Sequence, residues 1–334
     1  MAARRGDTLL FPTPPVVAAH AAIGGKKEGE GPLAACFDAL SADNFFGQSS
    51  WEAAEKELAL QTARLCLKKA QTTPEKVSLV LAGDLQAQCT ASSYAMRELG
   101  IPFAGLFGAC STMAEALGLG AALCSAGMAD GLLAMTSSHF CAAERQFRTP
   151  LSYGAVRTPT AQWTATAAGC CLLHPAGQGV GIAAATFGRV QDYNIKDINN
   201  MGAAMAPAAA ATLLHYLADT HAELRDFDCI YTGDLGLVGS QMLRELLAAE
   251  GLLLKNHADC GCLLYDAGEQ RVKSGGSGAG CCAAVLCAHI LPKLLRRGSR
   301  RVLFIATGAL MSQTTFLQKE SIPAVAHLVE LTAP

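Results

Sequence analysis

The segment GLFGACSTMAEAL, residues 105–117, places one cysteine between small residues at the apparent start of a helix. A thiol becomes a useful nucleophile when a helix N-terminus, a cation or a nearby base lowers its pKa. The position of Cys110 supplies the first of these features. Nucleophilic acyl chemistry at Cys110 is therefore one hypothesis, and it requires a base from elsewhere in the chain.

Histidine is the usual base for such a thiol, and the sequence holds eight histidines. Only His139, which follows an apolar run predicted to be a strand over residues 131–138, is expected near the mouth of a pocket that contains Cys110. Six others lie on apparent loops, helices or exposed ends, where a structural role is favoured: His174, His215, His221, His257, His289 and His327. An enzymatic interpretation thus depends on His139.

Length and composition indicate a globular α/β protein with a large core. Of 334 residues, 51% are hydrophobic and 16% are charged. The net charge of −2 leaves no electrostatic footprint for nucleic acid, so nucleic-acid binding is not expected. Asp7 and three prolines interrupt the N-terminal apolar stretch, which argues against a signal peptide. No segment reaches the ~18–20 uninterrupted apolar residues of a membrane-spanning helix.

The 14 cysteines are scattered along the chain and form no paired CxxC sets. The CGC at residues 260–262 is a weak metal signal by itself. We therefore expect most cysteines to be small buried hydrophobic residues in a reducing compartment, with no metal site and no cofactor.

The elements around Cys110 occur twice. The stretch WEAAEKELALQTARLCLKKA predicts a helix, and the run VSLVLAGDLQ after it predicts a strand. The stretch from PAAAATLLHYL to CIYTGDLG repeats this order, and Gly-Asp-Leu closes both strands at 83–85 and 233–235. A second helix and strand follow in each copy, which indicates internal duplication with parallel crossovers.

The second helices, 116–126 and 279–288, consist mostly of small apolar residues. A helix that is apolar all round is a buried helix, so we expect both to lie between two sheets. The boundary between the halves is expected near residues 174–181, which divides the chain into 1–175 and 176–334.

A duplicated α/β unit with two buried central helices, and a cysteine at the head of one, resembles the thiolase fold. Within that superfamily the chain resembles the family of stage V sporulation protein AD of spore-forming bacteria over nearly its whole length. The strings that carry this resemblance are GIPFAGLFGACSTMAEAL, SSHFCAAERQFR, PTAQWT, NNMGAAMAPAAA, YTGDLG and SGGSGAGC.

The resemblance implies a thiolase-like, layered αβαβα body of two similar halves. It also implies binding of dipicolinic acid (pyridine-2,6-dicarboxylate), alone or as its calcium chelate, for uptake into the developing spore. Such a protein would act peripherally at the spore inner membrane, with other stage V sporulation membrane proteins that form the channel. A homodimer is a further expectation from the resemblance.

The resemblance also identifies what this chain lacks. Acyl-condensing relatives carry a histidine in the loop that corresponds to Thr232, Gly233 and Asp234, and a carboxylate beside a thiolate raises the thiol pKa. The glycine loop SGGSGAG offers Ser277 where a second histidine or an asparagine is expected. Cys110 is thus better interpreted as a pocket wall, at the vestigial nucleophile position, than as an attacking group.

A binding site for dipicolinate, which is a flat aromatic dianion, needs N–H donors or cations. The backbone N–H groups of Cys110, Ser111 and Thr112 are candidates, because a helix N-terminus favours anions. Arg145 and Arg148 could each grip a carboxylate, although a stabilising pair between residues 144 and 148 of one helix is an equal alternative. His139, Asp234 and Ser277 complete the candidate ligand set.

Two further features leave alternatives open. Trp163 could stack on an aromatic ring, but a lone tryptophan is more often a core residue or an interface anchor. Asp84 and Asp234 could contact calcium, or could cap the next helix. The competing functions are an acyltransferase that uses Cys110 with His139, and a scaffold whose pocket is a relic.

Overall fold

The two halves of the chain repeat one order of strands and helices, which confirms the predicted duplicated α/β fold. The computed structural model describes residues 2–147 and 157–334. The helices are α1 Trp51–Lys69, α2 Thr90–Leu99, α3 Thr112–Ser125, α4 Phe140–Phe147, α5 Met201–Thr220, α6 Gly236–Ala249, α7 Cys260–Leu264, α8 Ala279–Val285, α9 Leu291–Leu295 and α10 Gln313–Leu317. The strands are β1 Ala3–Arg5, β2 Thr8–Leu10, β3 Val16–Gly24, β4 Ala39–Leu40, β5 Leu79–Gly83, β6 Phe103–Gly105, β7 Leu132–Ser138, β8 Trp163–Thr164, β9 Ala167–His174, β10 Val180–Phe187, β11 Cys229–Thr232, β12 His257–Asp259, β13 Gly276–Ser277, β14 Arg301–Ala309 and β15 Ala324–Thr332.

Each half builds the same five-strand arrangement. The order is β3-β9-β7-β5-β6 in the first half and β10-β15-β14-β11-β12 in the second. The last three strands of each series run parallel, and the first two pairs are antiparallel. Strands β3 and β10 join the halves at the Val17–Val180 and Val16–Gly181 pairs. The parallel strands of each half therefore end on one side, where loops from both halves meet.

Helices α3 and α8 form the central layer. Helix α3 packs on β5, β7 and β9 of the first half and on β10, β14 and β15 of the second, and α8 packs on β3, β7 and β9. Helices α1 and α2 cover the outer face of the first half, while α5 and α6 cover the second. These contacts give the αβαβα layering that the resemblance implies.

The close approach of helix α8 to strand β9 explains the many small residues in these two elements. A Cβ added to Gly280 would lie 1.9 Å from the carbonyl oxygen of Ala167, and one on Gly169 would lie 2.3 Å from that of Ala283. Strand β9 and helix α8 thus touch through their backbones, as dense interiors allow only where side chains are absent or very small. The alanine and glycine content of both elements follows from this spacing.

The helix predicted over residues 279–288 is present and contains a π-helical turn. Helix α8 ends at Val285, a π-helical turn spans Leu286–Ile290, and α9 follows. Pro292 lies in the first turn of α9 and has no N–H to donate, so a regular hydrogen-bond ladder cannot pass through it. The π turn lies directly before this proline-containing turn.

Helix α5 is the one described helix that is long and apolar enough to cross a membrane by length and composition. It packs against α6, β14 and β15, and 72% of its apolar stretch is buried inside the protein. It therefore serves as a core helix of this fold.

All 14 cysteines are free and most are buried, so the scattered thiols fill core space as the sequence predicts. Residues 175–179 connect β9 to β10. The division at residues 175 and 176 stays a prediction.

Candidate functional site

Cys110 lies in a short turn directly before α3. A 3-10 turn, Ala109–Ser111, leads into the helix at Thr112, and Ala109 has a φ of 52°. A positive φ is uncommon for a residue with a Cβ, so the surrounding contacts hold this turn in a sharp conformation. The turn presents the Cys110 side chain to a cavity between the two halves.

This cavity has a volume of about 110 Å³. Since about 10–15 Å³ suffices for one water molecule, the cavity has room for several water-sized groups. Its walls combine apolar side chains with a few polar groups. They are Leu85, Ala109, Cys110, Glu144, Ala161, Gln162, Thr164, Ile198, Asn199, Met201, Met205, Ser277, Gly278, Ala309 and Met311.

Asp234 lies beneath the polar end of the cavity and is completely buried. Ser277 donates its hydroxyl hydrogen to Oδ2 at 2.7 Å, the Gly278 N–H donates to the same oxygen at 3.2 Å, and Thr307 donates to Oδ1 at 2.8 Å. The Ser277 hydroxyl also lies 3.9 Å from the sulfur of Cys110. Burial raises the pKa of Asp234 to about 6 despite these hydrogen bonds.

The thiol of Cys110 is held in its protonated form. Burial, followed by the negative charge of Asp234, raises the pKa of Cys110 well above its ordinary value. Among the described residues, no histidine hydrogen-bonds to Cys110 or Asp234. Nε2 of His257 donates to the Thr232 oxygen at 2.8 Å, because the Thr232 hydroxyl itself donates to Asp259, and burial lowers the pKa of His257 to about 4. The described residues therefore supply no histidine as a base for Cys110.

Ser111 and Thr112 lie outside the cavity lining. The N–H of Ser111 donates to the carbonyl of Gly108 at 3.1 Å, and the N–H of Thr112 donates to that of Ala109. Their hydroxyl groups donate to the same two carbonyls at 2.6 and 2.8 Å. The expectation that these N–H groups stand free for an anion is wrong, because the 3-10 turn before α3 uses them internally.

The expected placement of His139 near the mouth of this pocket is also wrong. His139 is buried and lines a separate cavity of about 180 Å³, together with Lys26, Glu28 and Trp163. Its Nδ1 accepts from the Ala142 N–H at 3.4 Å, so Nε2 donates to the Asn44 carbonyl at 2.8 Å. The start of α4 thus turns this ring away from Cys110.

Arg145 lies in an outer cleft of about 720 Å³. Leu85, Ala109, Ala309 and Met311 line both this cleft and the Cys110 cavity, so the cleft forms its mouth. The guanidinium of Arg145 pairs with Glu52 and lies 5.9 Å from the ring centre of Trp51. Arg148 lies outside the described residues.

One wall of the cavity is a polar and aromatic network. Glu144 pairs with Arg157 at 2.8 Å and accepts from the Thr164 hydroxyl at 3.1 Å. Behind it, Trp163 stacks on Phe140 with ring centres 4.0 Å apart, and Lys27 lies 4.5 Å from the same tryptophan ring. Because the Trp163 ring already contacts Phe140 and Lys27, a structural role is favoured over stacking on a ligand.

Gln162 is a cavity residue to which sequence reasoning assigned no role. Its Nε2 donates to the carbonyls of Asp234 at 2.5 Å and Gly276 at 2.9 Å, and its buried Oε1 has no hydrogen-bond partner. Asn199, Met201 and Met205 were missed in the same way. The strings PTAQWT and NNMGAAMAPAAA contain all four and were the available signal.

The two Gly-Asp-Leu segments have different roles. Oδ2 of Asp84 accepts from the N–H and the hydroxyl of Ser92, and its Oδ1 accepts from the N–H of Gln86. Asp84 therefore holds the start of α2, whereas Asp234 lies beneath the cavity. The described residues contain no group of three or more His, Cys, Asp or Glu side chains arranged to hold a metal ion.

Comparison with known proteins gives the family and the fold. A profile of the stage V sporulation protein AD (SpoVAD) family matches residues 5–332. Stage V sporulation protein AD of Bacillus subtilis (strain 168) is 41% identical over 322 residues, which cover 96% of this chain and 95% of that protein.

Solved structures with the same fold are condensing enzymes. OleA of Xanthomonas campestris is 13% identical with a TM-score of 0.64, and the match covers 97% of this chain and 99% of the OleA chain. The 3-oxoacyl-[acyl-carrier-protein] synthase III of Aquifex aeolicus VF5 is 12% identical with a TM-score of 0.60, and covers 95% and 99%. At these identities the likeness concerns the fold alone. The chain thus has a thiolase-like fold and belongs to the stage V sporulation protein AD family of sporulation proteins.

Proposed function

We propose that the protein binds dipicolinic acid, alone or as its calcium chelate, without catalysis, and that this binding serves uptake of the compound into the developing spore. Membership in the sporulation family supports the cellular context. The cavity beside Cys110 supports a small ligand, because it combines mostly apolar walls with a few polar groups and adjoins the larger outer cleft.

One observation carries the non-enzymatic part of this proposal. Cys110 lies against Ser277 and buried Asp234, and its thiol pKa is raised rather than lowered. A nucleophilic cysteine needs a thiolate or an adjacent base. A binding protein needs only the walls of the cavity, which the same fold supplies.

The mouth of the cavity supports an anionic ligand. Arg145 is half exposed in the outer cleft, where its positive charge would attract a dicarboxylate toward the opening. Inside, the walls include the side-chain amide of Asn199, together with Ser277 and Thr164, whose hydroxyl hydrogens are donated to Asp234 and Glu144. Arg148, which lies outside the described residues, is proposed as a second carboxylate contact.

Calorimetric titration of the purified protein tests this function. The titrants are dipicolinate with and without calcium, the isomer pyridine-3,5-dicarboxylate, and an acyl-coenzyme A. We expect saturable binding of dipicolinate and no binding of the 3,5-isomer. Only dipicolinate carries both carboxylates on the ring carbons next to the nitrogen, and we expect the site to recognise that arrangement. Absence of heat with every small anion would favour the scaffold function instead.

We further propose that the protein acts peripherally at the spore inner membrane, through other stage V sporulation membrane proteins that form the channel, and that it is a homodimer. Fractionation of sporulating cells would test the location, since a peripheral protein leaves the membrane fraction at high salt. Sedimentation of the purified chain would test the dimer.

The alternative function is acyl transfer through Cys110. The position of Cys110 directly before α3 and the fold shared with condensing enzymes favour it. Intact-mass measurement after incubation with an acyl-coenzyme A would detect an acyl group on Cys110. Such an adduct in the wild-type protein, absent from Cys110→Ala, would support the enzyme and contradict the binding function.

A further inference from the structure

Asp234 is a buried carboxyl group next to a cavity that we expect to receive an anion. Its oxygens accept hydrogen bonds from the hydroxyls of Ser277 and Thr307, the N–H of Gly278 and the thiol of Cys110. Among the described residues, no lysine, arginine or histidine pairs or hydrogen-bonds with it. The titratable groups around it are Cys110, Asp259, Cys260, Cys281 and Cys282.

This environment opposes two negative charges at once. The described residues that line the cavity include Glu144, which pairs with Arg157, but no lysine or arginine. A carboxylate ligand within a few ångströms of ionised Asp234 would be repelled strongly, because buried charges are poorly screened. Taking up a proton at Asp234 removes that repulsion.

The hydroxyl of Ser277 links this protonation to the cavity. While Asp234 is ionised, the Ser277 hydrogen is committed to Oδ2 at 2.7 Å. A protonated Oδ2 donates across the same distance, so the Ser277 oxygen becomes the acceptor and its own hydrogen is released. Because Ser277 lines the cavity, that hydrogen can then reach a ligand.

We propose that Asp234 and Ser277 form a proton-dependent binding device: Asp234 takes one proton from solvent as the dicarboxylate binds, and Ser277 donates its freed hydroxyl hydrogen to a ligand carboxylate. Ser277 is then a direct ligand contact, and Asp234 is a positioning residue that acts through it. This inference rests on the proposed function, because it requires an anionic ligand in the Cys110 cavity. The raised pKa of Asp234 agrees with it.

Calorimetry with dipicolinate at pH 7.5, in two buffers of different ionisation enthalpy, counts the protons that accompany binding. We expect uptake of close to one proton per ligand. Between pH 7 and pH 8 the affinity falls about tenfold, since Asp234 must be protonated from its ionised state. Ser277→Ala weakens binding at pH 6 by about tenfold to a hundredfold, the value of a hydrogen bond to a charged group.

Asp234→Asn is the decisive variant, because its neutral amide mimics the protonated acid. We expect proton uptake to vanish and the affinity to become independent of pH. Ser92→Ala is the matched control, since Ser92 donates to Asp84, the buried carboxyl group that follows β5 in the first half. Ser92→Ala should leave both the proton uptake and the pH dependence of the affinity as they are in the wild-type protein.

Several outcomes would overturn the inference. One is dipicolinate binding by the wild-type protein with no proton uptake and constant affinity from pH 6 to pH 8. Another is proton uptake that persists in folded Asp234→Asn. If the wild-type protein binds no dipicolinate at any pH, the proposed function itself fails, so the two failures are distinguishable.

Discussion

Asp84 and Asp234 follow corresponding strands of the two halves, and both are completely buried, yet only Asp234 lies beside the Cys110 cavity. The carboxylate oxygens of Asp84 accept hydrogen bonds from Ser92 and Gln86 at the start of α2. Asp234 instead binds Ser277, which lines the cavity. Duplication has thus supplied two equivalent carboxyl groups, one used for local structure and one placed at a candidate binding site.

The state of the Cys110 thiol can be measured directly. Because burial and Asp234 raise its pKa, alkylation by iodoacetamide should be slow at pH 7 and should accelerate continuously up to pH 9. Asp234→Asn should increase the rate at pH 8, since it removes the repelling charge. Peptide mass spectrometry would follow the labelling. Rapid, pH-independent alkylation between pH 6 and pH 8 would show a stable thiolate and contradict this assignment.

A second buried acid should make stability depend on pH. Burial and the neighbouring charge of Asp84 raise the pKa of Glu55 to about 8, while Gln86 and Ser137 hydrogen-bond to it. The folded protein then holds a proton that the unfolded chain releases above about pH 4.5. The free energy of unfolding should therefore fall as pH rises from about 4.5 to 8, by at most about 1.4 kcal/mol per unit from this group.

Glu55→Gln should remove this part of the pH dependence, because a neutral amide can accept from Gln86 and donate to Ser137. Urea unfolding at pH 5, 6.5 and 8 would measure the slope. Glu57→Gln is the control on the same helix, since Glu57 makes an exposed hydrogen bond with Gln61. An unchanged slope in Glu55→Gln would refute the buried-acid assignment.

The contact between α8 and β9 should not tolerate a methyl group. Gly280→Ala would place a Cβ 1.9 Å from the Ala167 carbonyl oxygen and 2.8 Å from the Ser138 nitrogen. Both neighbours are backbone atoms, so we expect a loss of about 3 kcal/mol, at the upper end for overpacking. Gly268→Ala, where the nearest atom is 3.4 Å away, should change stability by less than about 0.5 kcal/mol. Equal stability of both variants in thermal unfolding would contradict this packing.

Arg145 should act on the rate at which an anion arrives. Its guanidinium is 49% exposed in the outer cleft, and a charge at the rim of a site mainly affects association. Arg145→Gln should lower the association rate constant for dipicolinate severalfold at low salt, with the difference shrinking at high salt. Arg97→Gln, an exposed arginine that pairs with Glu98, is the control. Stopped-flow measurements giving equal rates for both variants would exclude Arg145 from the entry path.

The elements could be predicted from sequence because their patterns are local. The helix around Leu58 and Ala63 and the buried strand ending at Gly83 are visible in short windows, and both occur in the structure. The layer order followed from the resemblance to the thiolase fold. The π turn at Leu286–Ile290 was not predicted, because the run of small apolar residues around it fits a regular helix equally well.

The site was harder to predict because side-chain direction depends on distant segments. His139 turns toward Asn44, which is 95 residues away in sequence, and no local pattern contains that partner. Ser111 and Thr112 were expected to present free N–H groups, but a 3-10 turn instead of a regular first turn uses them. Gln162 reaches Asp234 and Gly276 across the two halves. Only the folded chain brings these groups together.

A crystal structure of the protein with dipicolinate tests the central claim most directly. The account predicts the aromatic ring in the cavity beside Cys110, with one carboxylate within hydrogen-bond distance of the Ser277 hydroxyl and no bond to the cysteine sulfur. A ligand bound in the separate cavity that His139 lines, or a covalent adduct on Cys110, would contradict it.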